Sequence, residues 1–230
     1  MIGTFATGAA GMLDTARWAY SDSPHGDVLR RVTEAGVQLA WWRRAPEDAL
    51  VTCLARLPDA SLPKLRIVTT PGRLTAALEA ELGPAATRFR GIIGDVGELG
   101  ARFAAIATAR RVRVRLEKVT DDACSRWHAD RTPLRLLCTY RGAPSLLAKP
   151  GAVTGDAHGC VLGVDDAGIV VPRRLDVLIL KGTAYGDGTP PAVHRSPPLS
   201  GTGQARLLLV IDPADDADAP DVVIGDGARR

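Results

Sequence analysis

Three residues in the second half of the chain have the types and the order of a metal site. His128 and Asp130 stand two positions apart, and His194 follows much later in the sequence. Two imidazoles and one carboxylate make a facial triad, which holds a divalent metal, most often Fe(II), and leaves its other side open. Because residues two apart on a strand share a face, His128 and Asp130 can reach one ion. The pattern predicts a mononuclear metal site.

Two further side chains, Arg206 and Tyr140, are candidates for binding a carboxylate beside that metal. Arg206 opens the apolar run Leu207–Ile211, and a guanidinium can hold a carboxylate through two parallel hydrogen bonds. An arginine that points inward from such a strand needs a charged partner, since an unpaired buried charge is costly. Both residues also have a simpler interpretation, Arg206 as an edge-strand arginine and Tyr140 as the end of a core strand with Leu136 and Cys138.

A hydrolase is the competing enzyme class. Ser196 follows His194 closely, and Cys124 precedes His128 by four positions. Neither stands in a nucleophile elbow or beside an evident helix N-terminus, which is where an activated nucleophile is expected. The sequence therefore favours the metal site.

The composition excludes several other classes. The chain has 230 residues, is 46% hydrophobic and carries a net charge of +3, which is typical of one large globular domain. The alternating arginines of Arg110–Arg115 indicate the solvated face of a strand, and an aromatic content of 4% leaves no stacking platform for single-stranded nucleic acid. The apolar runs are too short to span a bilayer, no secretory signal is evident, and the four cysteines form no C-x-x-C pair. We expect a cytoplasmic protein without a nucleic-acid or membrane partner.

Hydrophobic periodicity changes near Arg110. Before this point it predicts helices at Gly11–Tyr20, Val28–Ala35, Pro46–Arg56, Leu74–Leu82 and Val96–Thr108, with strands at Val37–Trp42 and Leu65–Thr69. After it, strands are predicted at Val112–Val119, Leu134–Tyr140, Asp176–Leu180, Pro191–Arg195 and Arg206–Asp212. The predicted class is α+β. A mainly helical region, 1–109, packs on a C-terminal double-stranded β-helix, a jelly-roll or cupin-like barrel, over 110–212. An acidic, disordered tail follows over 213–230.

Several segments resemble a bacterial family known as domain of unknown function 1826. These segments are Arg115–Asp130, Leu134–Gly142, Val177–Gly182, His194–Pro198 and Arg206–Asp212. The resemblance covers most of the chain and implies no particular reaction. It does imply a setting of metal homeostasis, because genes of that family often lie near zinc-responsive metallochaperone GTPases. After Gly142 the chain departs from the family, with Ala143–Lys149 in place of a glycine-rich turn that has a threonine and a tryptophan.

The same segments are similar, more distantly, to Fe(II)/2-oxoglutarate oxygenases of the prolyl-hydroxylase type. Those proteins have an H-x-D motif, a strand ending in tyrosine, a distal histidine and an arginine that opens a late strand. The likeness implies that His128, Asp130 and His194 bind iron. It also implies that Arg206 pairs with the distal carboxylate of 2-oxoglutarate, assisted by Tyr140. The leading hypothesis is therefore a 2-oxoglutarate-dependent dioxygenase that acts on a small molecule or a protein side chain.

Two other hypotheses stay open. The same barrel could hold Zn(II) through His128, His194 and a carboxylate, joined by His158 or a cysteine, in a non-catalytic protein of metal homeostasis. A barrel that binds no metal would act as a binding module. Dependence on 2-oxoglutarate distinguishes the oxygenase from the zinc protein, and the effect of His128→Ala on metal content distinguishes both from the module.

Overall fold

The structure, a computed structural model, describes residues 19–155 and 161–215. Its α-helices are α1 (Asp48–Ala55), α2 (Leu74–Leu82) and α3 (Arg90–Ala107), and its longer 3-10 helices are Gly26–Thr33 and Gly83–Phe89. Its strands are β1 (Ala19–Ser23), β2 (Val37–Trp42), β3 (Lys64–Thr69), β4 (Arg111–Val119), β5 (Leu134–Arg141), β6 (Leu146–Ala148), β7 (Val153–Gly155), β8 (Val161–Val164), β9 (Ile169–Val170), β10 (Val177–Lys181), β11 (His194–Arg195) and β12 (Arg206–Ala214).

A mixed seven-stranded sheet organises the molecule. Its strand order is β1-β2-β10-β5-β12-β4-β3, with β1 and β2 parallel and every other pair antiparallel. Strands β5 and β12 lie near its centre, so each is hydrogen-bonded on both edges. Since side chains alternate along a strand, each of these two strands presents one set of residues to each face of the sheet.

The three helices cover one face of this sheet. Along α3, Ile92, Val96, Leu99 and Phe103 recur at spacings of three and four and are almost fully buried, as an amphipathic helix on a core requires. They pack in one cluster with β-strand residues such as Leu136. None of the helices in the described ranges is both long and apolar enough to cross a membrane.

A small sheet, β11-β6-β9, lies against the other face. Leu147 of β6 packs there with Leu137, Leu178 and Val210 of the large sheet. From β5 onward the chain passes between the two sheets repeatedly, with the hairpin of β7 and β8 inserted between β6 and β9. The large sheet is thus covered on both faces, by the helices on one side and by the small sheet on the other.

The predicted α+β class is confirmed, but a separate helical first half is not. Three strands from that region, β1, β2 and β3, belong to the large sheet, where β2 pairs with β10 and β3 with β4. The predicted strands at 37–42 and 65–69 correspond to β2 and β3. Of the helix predicted at 11–20, only the end is described, and it is part of β1. The segment predicted as a helix at 28–35 is mainly 3-10 helix.

The rest of the differences lie in short or terminal segments. Strands β6, β7, β8 and β9 were not predicted, and they are only two to four residues long. The predicted tail begins two residues too early, since Pro213 and Ala214 end β12. Its remainder, from 216 onward, lies outside the described residues.

We predict that Gly182→Ala destabilises the protein by about 1–3 kcal/mol, as overpacking against groups that cannot move does. A Cβ at Gly182 would collide with the backbone carbonyl oxygens of Thr132 and Asp130. The matched control is Gly163→Ala in β8, where a Cβ meets nothing within 4 Å. Urea denaturation measures both free energies of unfolding, and equal values for the two variants would contradict the prediction.

Candidate metal centre

An isolated antiparallel bridge joins His128 to His194. The backbone N–H of His128 donates to the His194 carbonyl at 3.0 Å, and the reverse hydrogen bond measures 2.9 Å. The two imidazole ring centroids are consequently 4.5 Å apart. The bridge fixes residues that are distant in sequence as direct neighbours, and Asp130, two positions after His128, reaches the same place.

The donor atoms of His128, Asp130 and His194 all lie within 4.8 Å of one another. His194 Nε2 is 3.5 Å from Asp130 Oδ2, and His128 Nε2 is 3.9 Å from Asp130 Oδ1. Among the described residues, this is the cluster of histidine, cysteine and carboxylate side chains whose spacing suits a metal ion. The structure therefore brings together the three ligands that the sequence suggested.

Both imidazoles are suited to bind a metal, His128 through Nε2 and His194 as the neutral ring. The Nδ1 of His128 lies 2.8 Å from the backbone carbonyl of Arg126, and because a carbonyl only accepts, Nδ1 carries the proton and leaves Nε2 with a lone pair. Burial lowers the pKa of His194 to about 4, and the opposing effect of the Asp130 charge does not overcome it. His194 is therefore neutral at neutral pH, which is the form that binds a metal.

Asp130 is held asymmetrically. Its Oδ1 accepts a hydrogen bond from Arg135 Nη1, whereas its Oδ2 is buried and has no hydrogen-bond partner. A buried carboxylate oxygen without a partner among the described residues calls for an explanation, and the capacity to bind a cation is the simplest one. The residues therefore fit a divalent metal, which His128, His194 and Asp130 Oδ2 would hold.

Arg135 is itself fixed by a second carboxylate. Its Nε and Nη2 donate to Asp212 Oδ1 and Oδ2 at 2.6 and 2.9 Å. Burial alone would lower the pKa of Arg135, but the hydrogen bond and charge of Asp212, together with the charge of Asp130, raise it. Arg135 is therefore a permanent cation beside the candidate ligand.

Arg206 is fully buried, with 0% exposure. Its Nη1 donates to Ser196 Oγ at 3.0 Å, and its Nη2 donates to Ser145 Oγ at 2.9 Å and to Thr139 Oγ1 at 3.3 Å. Its Nε has no partner, and no carboxylate in residues 19–155 and 161–215 forms an ion pair with it. Burial lowers the pKa of Arg206 to about 10, so the guanidinium stays charged at neutral pH. Three neutral hydroxyls thus surround a buried cation.

Arg206 and the histidine–aspartate cluster lie on the same side of the large sheet. On β5, Arg135 contacts Asp130 and Thr139 contacts Arg206, and residues four apart on a strand share a face. The Cα atoms of Arg135 and Thr139 are about 13 Å apart along β5 at the usual rise per residue. Ser196, which binds Arg206, also follows His194 by only two positions. The candidate metal ligands and the buried cation therefore lie near each other on the side of the large sheet that faces the small sheet.

Tyr140 lies on the opposite face, and the structure does not bring it to this cluster. Its hydroxyl donates to Asp95 Oδ2 of α3 at 2.5 Å, and Asp95 is also paired with Arg44. Burial raises the pKa of Tyr140 well above its ordinary value. The side chain therefore completes the polar contacts beneath the helices, and its neighbour Thr139 is the residue that reaches Arg206.

The structure adds residues to the site that the sequence did not indicate. Thr139, Ser145 and Ser196 bind Arg206, and Arg135 binds Asp130. Alternation along β5 could have suggested Thr139 and Arg135, whereas Ser145 gave no signal because it lies in the segment where the chain departs from its family.

The remaining candidates from the sequence do not join the site as nucleophiles or ligands. Ser196 accepts its hydrogen bond from Arg206 rather than from a histidine. Cys124 is exposed, its backbone carbonyl accepts from the Ser196 N–H, and its thiol lies near enough to Arg135 and Arg206 to interact electrostatically with both. His158 lies outside the described residues.

A cleft of about 910 Å³ lies elsewhere, between α1 and α3 on the helix-covered side. It is lined by arginines that include Arg56, Arg88 and Arg90, and by none of the candidate metal ligands. The candidate metal site is therefore recognised by the spacing of its donor atoms, and this cleft is not part of it.

Two facing sheets with a histidine–aspartate–histidine cluster between them define an α+β protein with a candidate mononuclear metal site. The chain belongs to the family described as "Protein of unknown function (DUF1826)", whose model matches residues 23–212. No curated protein sequence matches the chain.

Among solved structures, the chain is similar to the dioxygenase for auxin oxidation 1 from Arabidopsis thaliana in its binary complex with 2-oxoglutarate. The TM-score is 0.51 at 10% sequence identity, over 88% of this chain and 94% of that chain. The dioxygenase for auxin oxidation of rice follows at a TM-score of 0.47 and 13% identity, covering 87% and 84%. A Pseudomonas putida prolyl-4-hydroxylase scores 0.35 at 14% identity, covering 74% and 97%. The first likeness establishes a related fold, and the two weaker ones carry no argument.

We predict that His194→Ala reduces the affinity for Mn(II) or Fe(II) about 100-fold or more, since it removes a ligand, and even a residue behind a ligand is worth 10–100-fold. His25→Ala is the matched control, because His25 is exposed and far in sequence from the cluster. Anaerobic isothermal titration calorimetry measures both affinities. Unchanged metal binding in His194→Ala would show that the cluster is not the metal site.

Proposed function

We propose that this protein is a mononuclear non-haem Fe(II)- and 2-oxoglutarate-dependent oxygenase. Its substrate would be a small molecule or a protein side chain. The observation that carries this proposal is the buried Arg206, a cation whose hydrogen-bond partners among the described residues are hydroxyls, on the side of the sheet where the candidate metal ligands lie.

The energetics of Arg206 support a ligand at this position. A buried charge is costly unless it is paired, so a protein that keeps one without a carboxylate partner tolerates a loss of stability. A carboxylate from a bound ligand would remove that cost, and the guanidinium fork suits it because two parallel hydrogen bonds can form. Ser145 and Thr139 Oγ atoms already lie within hydrogen-bond distance of Nη2 and would donate to the same carboxylate.

A buried cation beside a candidate metal site suits a diacid with a chelating end. One end of 2-oxoglutarate would bind at Arg206, and its 2-oxo acid end would face His128, Asp130 and His194. Iron and 2-oxoglutarate together supply the activation of dioxygen that hydroxylates a substrate. The protein's part is to hold three positions with neutral imidazoles and one carboxylate oxygen, and to orient the diacid through Arg206. Apolar residues, among them Leu137 and Val210, pack on the same side of the sheet.

The arrangement of strands supports the same proposal. We infer that the two facing sheets form the double-stranded β-helix predicted from the sequence, since the chain alternates between them from β5 to β12. In this arrangement β11 and β12 contribute His194 and Arg206 from opposite sheets, so that the metal and the diacid would lie between the sheets.

The test is an anaerobic visible spectrum. Chelation of Fe(II) by the 2-oxo acid produces a weak charge-transfer band that neither component gives alone, so we expect the band when Fe(II) and 2-oxoglutarate are both present. Zn(II) with 2-oxoglutarate is the control and gives no band, because its filled d shell has no such transition. Absence of the band with Fe(II), together with tightly bound zinc in the purified protein, would contradict the oxygenase and favour a zinc protein of metal homeostasis.

We further predict that Arg206→Ala weakens 2-oxoglutarate binding about 10- to 100-fold while Fe(II) stays bound, because a hydrogen bond to a charged group contributes about 1.5–3 kcal/mol. Arg206→Lys keeps the charge but loses the planar fork, so its affinity for 2-oxoglutarate is expected to lie between those of the wild type and Arg206→Ala. Calorimetric titration of 2-oxoglutarate into Mn(II)-loaded protein measures the affinities. Unchanged affinity in both variants would demote Arg206 to a structural residue.

A further inference from the structure

We propose that Arg135 is a positioning residue that holds Asp130 to a single metal-binding oxygen and so keeps one coordination position free. This inference rests on the proposed function, because the free position matters only if a chelating co-substrate must occupy it. It concerns a residue that neither the sequence motif nor the family assigns to the site.

The two oxygens of Asp130 have different surroundings. Oδ1 accepts from Arg135 Nη1 and is 3.9 Å from His128 Nε2, whereas Oδ2 is buried without a hydrogen bond and lies 3.5 Å from His194 Nε2. A carboxylate with both oxygens free can bind a metal through either one or through both. Because the guanidinium of Arg135 occupies Oδ1, only Oδ2 is available to the metal, and binding through both oxygens is blocked.

Arg135 cannot easily turn away from Asp130. Its Nε and Nη2 bind both oxygens of Asp212 on β12, which is only 4% exposed. Asp212 also accepts from Arg115 Nη2 of β4 at 3.3 Å. A chain of alternating charges therefore crosses three adjacent strands, β4, β12 and β5, and ends at Asp130. Because each strand is held in register by its neighbours, the guanidinium is fixed in the orientation that directs Nη1 at Oδ1.

The charges of this chain also matter for metal affinity. Arg115, Asp212, Arg135 and Asp130 carry two positive and two negative charges, so the carboxylate ligand is part of a neutral group. Loss of Arg135 would leave a net negative charge beside the metal, which attracts a divalent cation more strongly. A substitution that only destabilises the site would lower the metal affinity. If Arg135 positions Asp130, its loss should leave the metal affinity unchanged or raise it, while the free coordination position is lost.

Arg115 supplies the matched control. It shares Asp212 with Arg135 and has nearly the same side-chain exposure, 21% against 20%, but it does not contact Asp130. If the ion pairs only stabilise the sheet, Arg135→Met and Arg115→Met should behave alike. If Arg135 positions Asp130, only Arg135→Met should change the metal site.

The experiment uses Co(II), whose visible absorption weakens as its coordination number rises. For Arg135→Met we expect Co(II) affinity at least equal to that of the wild type, a weaker absorption band, and 2-oxoglutarate affinity of the Co(II) form reduced about tenfold or more. Arg115→Met should match the wild type in all three, and Asp130→Ala should lose Co(II). An Arg135→Met spectrum identical to the wild type, or loss of Co(II) as in Asp130→Ala, would overturn the proposal.

Two further measurements keep the outcomes distinct. If Arg135→Met does not fold, because it leaves Asp212 buried with only Arg115 as a partner, the double variant Arg135→Met/Asp212→Met removes the ion pair together and is expected to give the same weaker band. If wild-type Co(II) protein does not bind 2-oxoglutarate, the proposed function fails. The Co(II) spectra of the Arg135 and Arg115 variants then decide the positioning role alone.

Discussion

The register of the two central strands, β5 and β12, is the constraint on which the rest of the structure depends. Along β5, Leu136 and Cys138 face the helices, whereas Arg135 and Thr139 face the space between the sheets. A slip of one residue would exchange these sets, so that Tyr140 would enter that space and the cations would meet the helix core. Burial on both faces makes such a slip costly, since charged groups would replace leucines in a closely packed layer. The chemistry is therefore fixed by the same alternation that folds the sheet.

Much of this organisation could be predicted, because it depends on local patterns. The alternation of apolar residues indicated β4, short apolar segments bounded by turns indicated β5, β10 and β12, and the three-and-four spacing indicated α2 and α3. His128, Asp130 and His194 were recognisable because the chain has only four histidines and because an H-x-D pair followed by a distant histidine is the order of a facial triad. What alternation cannot tell is which face of a doubly buried sheet a residue occupies. Tyr140 was correctly grouped with Leu136 and Cys138, yet that group faces the helices and not the metal ligands.

The contacts that complete the site could not be predicted from local sequence patterns, because they join segments that are distant in sequence. Ser145 reaches Arg206 only after β6 has paired with β11, and strands of two or three residues have too few positions to show a period. Asp212 reaches Arg135 only because β12 lies beside β5. The separate helical half was mistaken for a related reason: β2 and β3 were expected as strands, but nothing local indicates that a strand will add to a sheet formed mainly by later residues.

Arg135 and Arg206 lie on the same side of the large sheet, the first partly buried and the second fully buried, and they have unequal partners. That difference supports the proposed position of the ligand. Arg135 is satisfied by Asp130 and Asp212, so its charge is balanced within the protein. Arg206 has three hydroxyls and an unpartnered Nε. If burial alone governed both positions, a carboxylate opposite Arg206 would remove a cost of several kcal/mol, as Asp212 does for Arg135. In the described part of the chain Arg206 has neutral hydrogen-bond partners and Asp130 Oδ2 has none, so the proposed carboxylate would balance the first and the proposed metal the second. A metal bound at one and a carboxylate bound at the other would each remove one imbalance, which is the requirement that a chelating diacid meets.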